Sequence, residues 1–270
     1  MDGMRLLLLI FFLMIWGCRK EQPDGQSSSA SAKHPEQITV AAAADLKFAL
    51  DELLVAFCAH HPDVQVTATY GSSGSLFVQI SNGAPFDLFL SADMAYPQKL
   101  IEQGLAVYES AFRYANGHLV IWVRADSPLD PAALGMSALV EPSVRKVAIA
   151  NPQHAPYGRA AVAAFESAGL YDSLRDRLVL GENVAQAAQF VESGAADVGV
   201  IALSLALSPA MRDKGRYWEI PQDRHPPIEP GGVILNRAKD SAGAQQLRAW
   251  IVGPGGRSIL KRYGFFSPDE

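Results

Sequence analysis

Cysteine is scarce in this chain. Of 270 residues only Cys18 and Cys58 are cysteines, so no disulfide framework exists and stability has to come from a packed core. A basic run is also missing. The 23 Lys and Arg are outnumbered by 28 Asp and Glu, for a net charge of −5. That balance excludes nucleic acid as a partner, and any anion site must be built from local donors instead of a global positive field. No zinc-ligand spacing, P-loop or dinucleotide fingerprint occurs. Nor is there a Gly-x-Ser-x-Gly nucleophile elbow, because Ser75 stands where its final glycine belongs. The sequence nominates no histidine and acid for Ser72 or Ser73, so a secreted hydrolase is the weaker reading. No internal repeat is visible.

What is present begins with an export segment. Arg5 precedes an apolar run from Leu6 to Trp16, too short to span a bilayer but suited to a secretory signal. Ile15-Trp16-Gly17-Cys18 resembles a bacterial lipobox, which makes residues 1–18 a signal peptide and Cys18 the lipidated residue. Residues 19–36 then read as a disordered tether, rich in serine around Ser27-Ser28-Ser29. The implied arrangement is a globular body in the periplasm, held at a bacterial membrane by lipid. Cys58 reads as a buried free thiol in a helix.

From Gln37 onward strand and helix patterns alternate. Ile38–Ala42 reads as a strand, and Leu46, Leu50, Leu53, Leu54 and Phe57 mark one face of a helix that Pro62 stops. A second strand, Val64–Thr69, runs into Tyr70-Gly71-Ser72-Ser73-Gly74-Ser75 and then a helix. Phe86–Leu90 is a third strand. This order predicts an α/β fold with a parallel sheet covered on both faces. Ligands in such sheets collect at the carboxyl ends of strands, beside helix N-termini. There the Gly/Ser turn offers hydroxyls and free N–H groups to an anion. The apolar strand His118–Val123 carries the chain into a second region, and the proline-rich Pro221–Pro230 passage leads it back. The partition is 37–117 plus 229–270 for lobe I and 118–228 for lobe II.

The segments at 38–46, 71–75 and 82–93, with Asn-Pro-Gln-His-Ala-Pro-Tyr-Gly at 151–158, Glu-Asn-Val at 182–184 and Lys-Arg-Tyr-Gly-Phe at 261–265, resemble the periplasmic molybdate-binding proteins of ABC transporters, the ModA family. The resemblance runs from Gln37 to Phe265. It implies a type II periplasmic-binding fold, two α/β lobes joined by crossover strands with a ligand cleft between them, that closes by a hinge motion. It also implies a monomer with no catalytic activity and no cofactor, which delivers molybdate or tungstate to an ABC permease. Phosphate or sulfate is the alternative ligand. The family's binding positions fall on Asp45 with the adjacent amide of Ala44, on Ser73, on the amide of Tyr157 and on the amide of Val184. A fifth, tyrosine in many members, falls on Ala202, whose side chain has no donor to offer. Charge-assisted hydrogen bonds to a tetrahedral dianion are each worth about 1.5–3 kcal/mol.

Asp45 departs from the pattern, because the family usually has serine there. A carboxylate about 4 Å from one negative charge costs roughly 4 kcal/mol at an effective dielectric of about 20. Three roles stay open. The side chain caps the following helix at the N–H of Lys47 or Phe48, or it coordinates the metal of the oxyanion directly, or it shares a proton with a protonated oxyanion.

Overall fold

The computed structural model describes residues 35–268. The signal peptide, the lipobox with Cys18 and nearly all of the tether lie outside those residues.

The chain first alternates strand and helix: β1 (Glu36–Ala43), α1 (Lys47–His60), β2 (Val64–Gly71), α2 (Ser73–Ser81), β3 (Leu88–Ser91), α3 (Ala95–Glu102) and the short β4 (Phe112–Arg113). It then crosses to β5 (Leu119–Arg124), α4 (Pro131–Leu134), β6 (Val147–Ala150), α5 (Pro156–Ser167), α6 (Tyr171–Leu174), β7 (Leu178–Gly181), α7 (Val184–Glu192), β8 (Val198–Ala202), α8 (Leu203–Ala206) and β9 (Gly215–Glu219). It returns for β10 (Gly231–Ile234), α9 (Ala242–Val252) and α10 (Pro254–Arg262). The strands form two five-stranded sheets, ordered β2-β1-β3-β10-β4 and β7-β6-β8-β5-β9. Each sheet is the centre of one α/β lobe.

The sheets are mixed, which corrects the expectation of a parallel one. Three strands of each are parallel, β2-β1-β3 and β7-β6-β8. The fourth, β10 in one lobe and β5 in the other, runs antiparallel to its neighbour. Both antiparallel strands are the ones by which the chain enters a lobe from the other. They arrive from the cleft side without a right-handed crossover helix and so run opposite to the rest.

Side chains alternate across β1. Ile38, Val40 and Ala42 join the layer containing α1, α9 and α10, while Ala41 packs with Leu76, Ile80, Phe89 and Leu100 on the opposite face. The second lobe has its own core around β5, with Trp122, Ile149, Phe165 and Ile201 fully buried. Burying each such large side chain contributes about 1.5–3 kcal/mol. Cys58 is half-buried, not buried as expected, at the edge of the first lobe's core.

The two crossover segments lie side by side. Gly117 N–H donates to the Ile228 carbonyl at 2.9 Å and Tyr114 N–H to the Pro230 carbonyl at 3.1 Å. A β-carbon on Gly117 would stand 2.5 Å from the Tyr157 hydroxyl and 2.8 Å from Ile228. Only glycine permits that approach.

Candidate functional site

Between the lobes, at the carboxyl ends of the parallel strands, lies a small cavity. Ala44, Asp45, Ser73, Tyr157 and Val184 all line it, joined by Ser72, Asn183 and the backbone around Pro156. No Lys, Arg or His is among the lining residues. The fifth position, Ala202, is buried at the end of β8 and is not among them.

Four helix starts point at this cavity, and their capping decides which amides remain for a ligand. The first N–H groups of a helix have no partner within it. In α2 the Ser72 hydroxyl takes Ser75 N–H at 3.3 Å, the Ser72 carbonyl takes Leu76 N–H, and the His154 carbonyl takes Gly74 N–H at 2.9 Å. The amide of Ser73 is passed over. In α7 the Asn183 side chain accepts from Ala185 and Gln186, both at 3.0 Å, and the Asn183 carbonyl accepts from Ala187. That passes over the amide of Val184. In α5 the first residue is Pro156, which has no N–H, and Ala155 offers no side-chain cap, so the next amide, that of Tyr157, takes its place. The fourth start is a 3-10 turn, Ala44–Leu46, leading straight into α1. Partial positive charge from these termini converges on one small space.

The Ser73 side chain is held in place. Its hydroxyl oxygen accepts from the Ala92 N–H at 3.0 Å, so the oxygen is fixed and its hydrogen is available to a ligand. Ser73 is 1% exposed.

Asp45 behaves differently. It is 2% exposed, and neither carboxylate oxygen has a hydrogen-bond partner among the described residues. The capping role is corrected: no side-chain bond caps the turn at Ala44 or the start of α1, and Lys47 N–H goes to the Ala44 carbonyl. The reason is geometric. The 3-10 turn starts one residue before Asp45, so Asp45 sits inside the first turn instead of preceding it, and its carboxyl cannot reach forward to Lys47 or Phe48. Burial pushes its pKa up to about 7, although the Tyr157 hydroxyl and the amides of Asp45 and Leu46 stand close enough to offset part of the rise. None of these donors closes a hydrogen bond of ordinary geometry with it. The Tyr157 hydroxyl is likewise buried and unpartnered. Burial, then the Asp45 charge, raises that phenol well above its usual range.

The lobes are closed on each other. The Ser72 hydroxyl lies 2.7 Å from His154 Nδ1, Ser75 donates to Glu182 at 3.0 Å, and Ser204 donates to the Asp45 carbonyl at 2.7 Å. At the rim Arg159 reaches Asp93 at 2.8 Å and the Tyr96 hydroxyl at 3.1 Å. Each contact joins a residue of one sheet's lobe to a residue of the other's. Sequence reasoning missed Glu182, Arg159 and Ser204 in this role, since no local pattern marks a partner on another lobe.

Ser72, His154 and Glu182 together look like a nucleophile, base and acid. The hydrogen bonds fit another use. Ser75 must donate to the Glu182 carboxylate, which can only accept, and Ser72 in turn donates to Ser75 at 2.9 Å. With its single hydrogen spent there, Ser72 meets His154 Nδ1 as an acceptor when that nitrogen carries the ring proton. A histidine that donates to a serine cannot deprotonate it. His154 Nε2 also stands 3.8 Å from Glu182, beyond a hydrogen bond. The cluster is a latch across the cleft.

The family profile described as bacterial extracellular solute-binding protein matches residues 38–266. Molybdate-binding protein ModA of Azotobacter vinelandii is 35% identical over 241 residues, covering 89% of this chain and 94% of its own. The ModA of Rhodobacter capsulatus is 37% identical over 201 residues, with 74% and 77% covered. Among solved structures, the periplasmic molybdate-binding protein of Azotobacter vinelandii superposes with a TM-score of 0.80 at 36% identity, covering 86% of this chain and 99% of that one.

Proposed function

This chain belongs to the bacterial extracellular solute-binding proteins, within the molybdate-binding ModA family, and from that premise we propose how it serves an ABC transporter. It is a periplasmic binding protein for molybdate. The oxyanion sits between the lobes, and the closed form is what the permease receives. Its donors are the hydroxyl and N–H of Ser73 and the amides of Ala44, Asp45, Tyr157 and Val184. Tungstate, nearly equal in size and charge, is taken by the same donors. The protein works as a monomer, without catalysis, anchored through lipid on Cys18.

One observation carries this reading: the caps of α2 and α7 satisfy the deeper amides and pass over those of Ser73 and Val184, α5 opens on Pro156 so that Tyr157 carries its first amide, and all three residues line one cavity. A dianion without protons needs donors only, and preformed helix starts supply them with little ordering cost. Thermal unfolding in the presence of molybdate, tungstate, sulfate or phosphate tests it. Ligand at a thousand times its Kd adds about 4 kcal/mol of stability, so molybdate and tungstate should raise Tm by several degrees. A larger shift with sulfate or phosphate would reassign the ligand, and no shift with any of them at millimolar concentration would overturn the reading.

A further inference from the structure

The most unusual group in the molecule is the Asp45 carboxyl. It lines the cavity, it is almost wholly buried, and among the described residues both its oxygens lack a hydrogen-bond partner. An ionised carboxylate left so is doubly unfavourable, first by desolvation and then by repulsion of an incoming dianion. The neutral acid removes both problems. It carries no charge, and its O–H is one more donor beside a cavity lined by donors.

We propose that the chain binds its oxyanion together with one proton, held on Asp45, whose carboxyl group donates a hydrogen bond to the ligand. This rests on the oxyanion reading above and adds a selectivity element to it. The balance is simple: the Asp45 carboxylate, one proton from solvent and the free dianion give a neutral carboxylic acid hydrogen-bonded to the bound dianion. No bond to the central atom forms or breaks.

The groups facing Asp45 leave it as the titrating member. From α5 comes the Tyr157 phenol, and from the crossover segment the Tyr114 phenol, which donates to the Ser91 carbonyl at 3.1 Å. Both phenols are pushed far above their ordinary range by burial and stay neutral. From α8 Ser204 binds the Asp45 backbone carbonyl and does not titrate. His154 and Glu182 sit in the latch on the α2 side and are the groups that a control must separate.

The sign follows from the acid's own equilibrium. In the ligand-free closed form burial raises the Asp45 pKa to about 7, so at pH 6 that form is already protonated and binding to it needs no proton from solvent. Above about pH 7 the free protein is ionised, and each bound dianion must bring a proton. Affinity should then fall by up to about tenfold per pH unit.

Calorimetric titration of the protein with molybdate at pH 6, 7, 8 and 9, in buffers of different ionisation enthalpy, counts the protons directly. The expected result is near zero uptake at pH 6, approaching one proton per molybdate at pH 9. Asp45→Asn should bind with a flat pH profile and outperform the unmodified chain at pH 9. His154→Gln should keep the slope. Binding that is equally tight from pH 6 to 9 with no proton uptake would overturn the proposal and leave the oxyanion reading standing. So would a slope that persists in Asp45→Asn and vanishes in His154→Gln. A loss of more than tenfold at pH 6 in a folded Asp45→Asn would point to direct ligation of the central atom instead. Should that variant not fold, the proton count on the unmodified chain decides alone. Failure to bind molybdate at any of these pH values would overturn the oxyanion reading itself.

Discussion

Ser73 and Asp45 face the same cavity from neighbouring helix starts, yet their side chains are in opposite states. The Ser73 oxygen is fixed by the Ala92 amide, and only its hydrogen is uncommitted. The Asp45 oxygens have no hydrogen-bond partner among the described residues and are buried all the same. Preorganisation of a donor and tolerance of an unsatisfied acceptor thus lie in one site. The first is what an anion site needs at every pH. The second suits an anion only while a proton sits on it.

The largest effect that would sharpen this contrast is on stability. Asp45 binds a proton more tightly folded than unfolded, so its contribution is fully present below about pH 3.8 and lost as pH rises through about 7. The span corresponds to an upper bound on the order of 4 kcal/mol. Asp45→Asn should therefore raise the Tm of the ligand-free protein at pH 8 and change it little at pH 4; an unchanged Tm at pH 8 would mean that the carboxylate is better solvated than the structure shows.

Next comes Gly74, beside Ser73. A β-carbon there would stand 2.5 Å from the His154 carbonyl oxygen across the cleft, so Gly74→Ala should hinder closure without unfolding either lobe. Molybdate affinity should fall by about 100-fold, near 2.7 kcal/mol, and solution scattering with ligand should report a more open shape. Ser73→Ala removes the fixed donor and frees the Ala92 amide. A charge-assisted hydrogen bond is worth about 1.5–3 kcal/mol, so affinity should drop roughly 10- to 100-fold at pH 6 and pH 9 alike. A pH-dependent loss would erase the distinction between the two residues.

The smallest effect is at the rim. Arg159 and Asp93 are each about one-third or more exposed, at 41% and 32% of their side chains, and such pairs contribute about 0–1 kcal/mol. Arg159→Ala should weaken molybdate binding by fivefold or less, and less still at high salt. A larger loss would move the centre of the account from the cavity to its edge.

The fold class was readable because strands and helices announce themselves by period: Val64–Thr69 alternates, and Leu46 to Phe57 repeats at helical spacing. The direction of β10 and β5 was not readable, since a local pattern carries no information about which way a strand enters a sheet. Strand β4 has two residues, too few to show any period. At the site, the Gly/Ser turn at 71–75 was readable from its own residues, whereas Ala44, Asp45, Tyr157 and Val184 were reached through the resemblance to the ModA family. The misjudged residue was Asp45, whose role turned on whether the helix starts at Ala44 or after Asp45, a one-residue difference. The latch was beyond reach for another reason: Ser72 and His154 are 82 residues apart, and nothing near either one records the other.

The central claim is that four helix starts, closed between two lobes, form one oxyanion site. Calorimetric titration of the protein with molybdate at pH 6 tests it most directly. The account predicts one saturable site per chain with micromolar or tighter affinity, much weakened in Gly74→Ala. Absence of binding at millimolar molybdate, or equal affinity in Gly74→Ala, would contradict it.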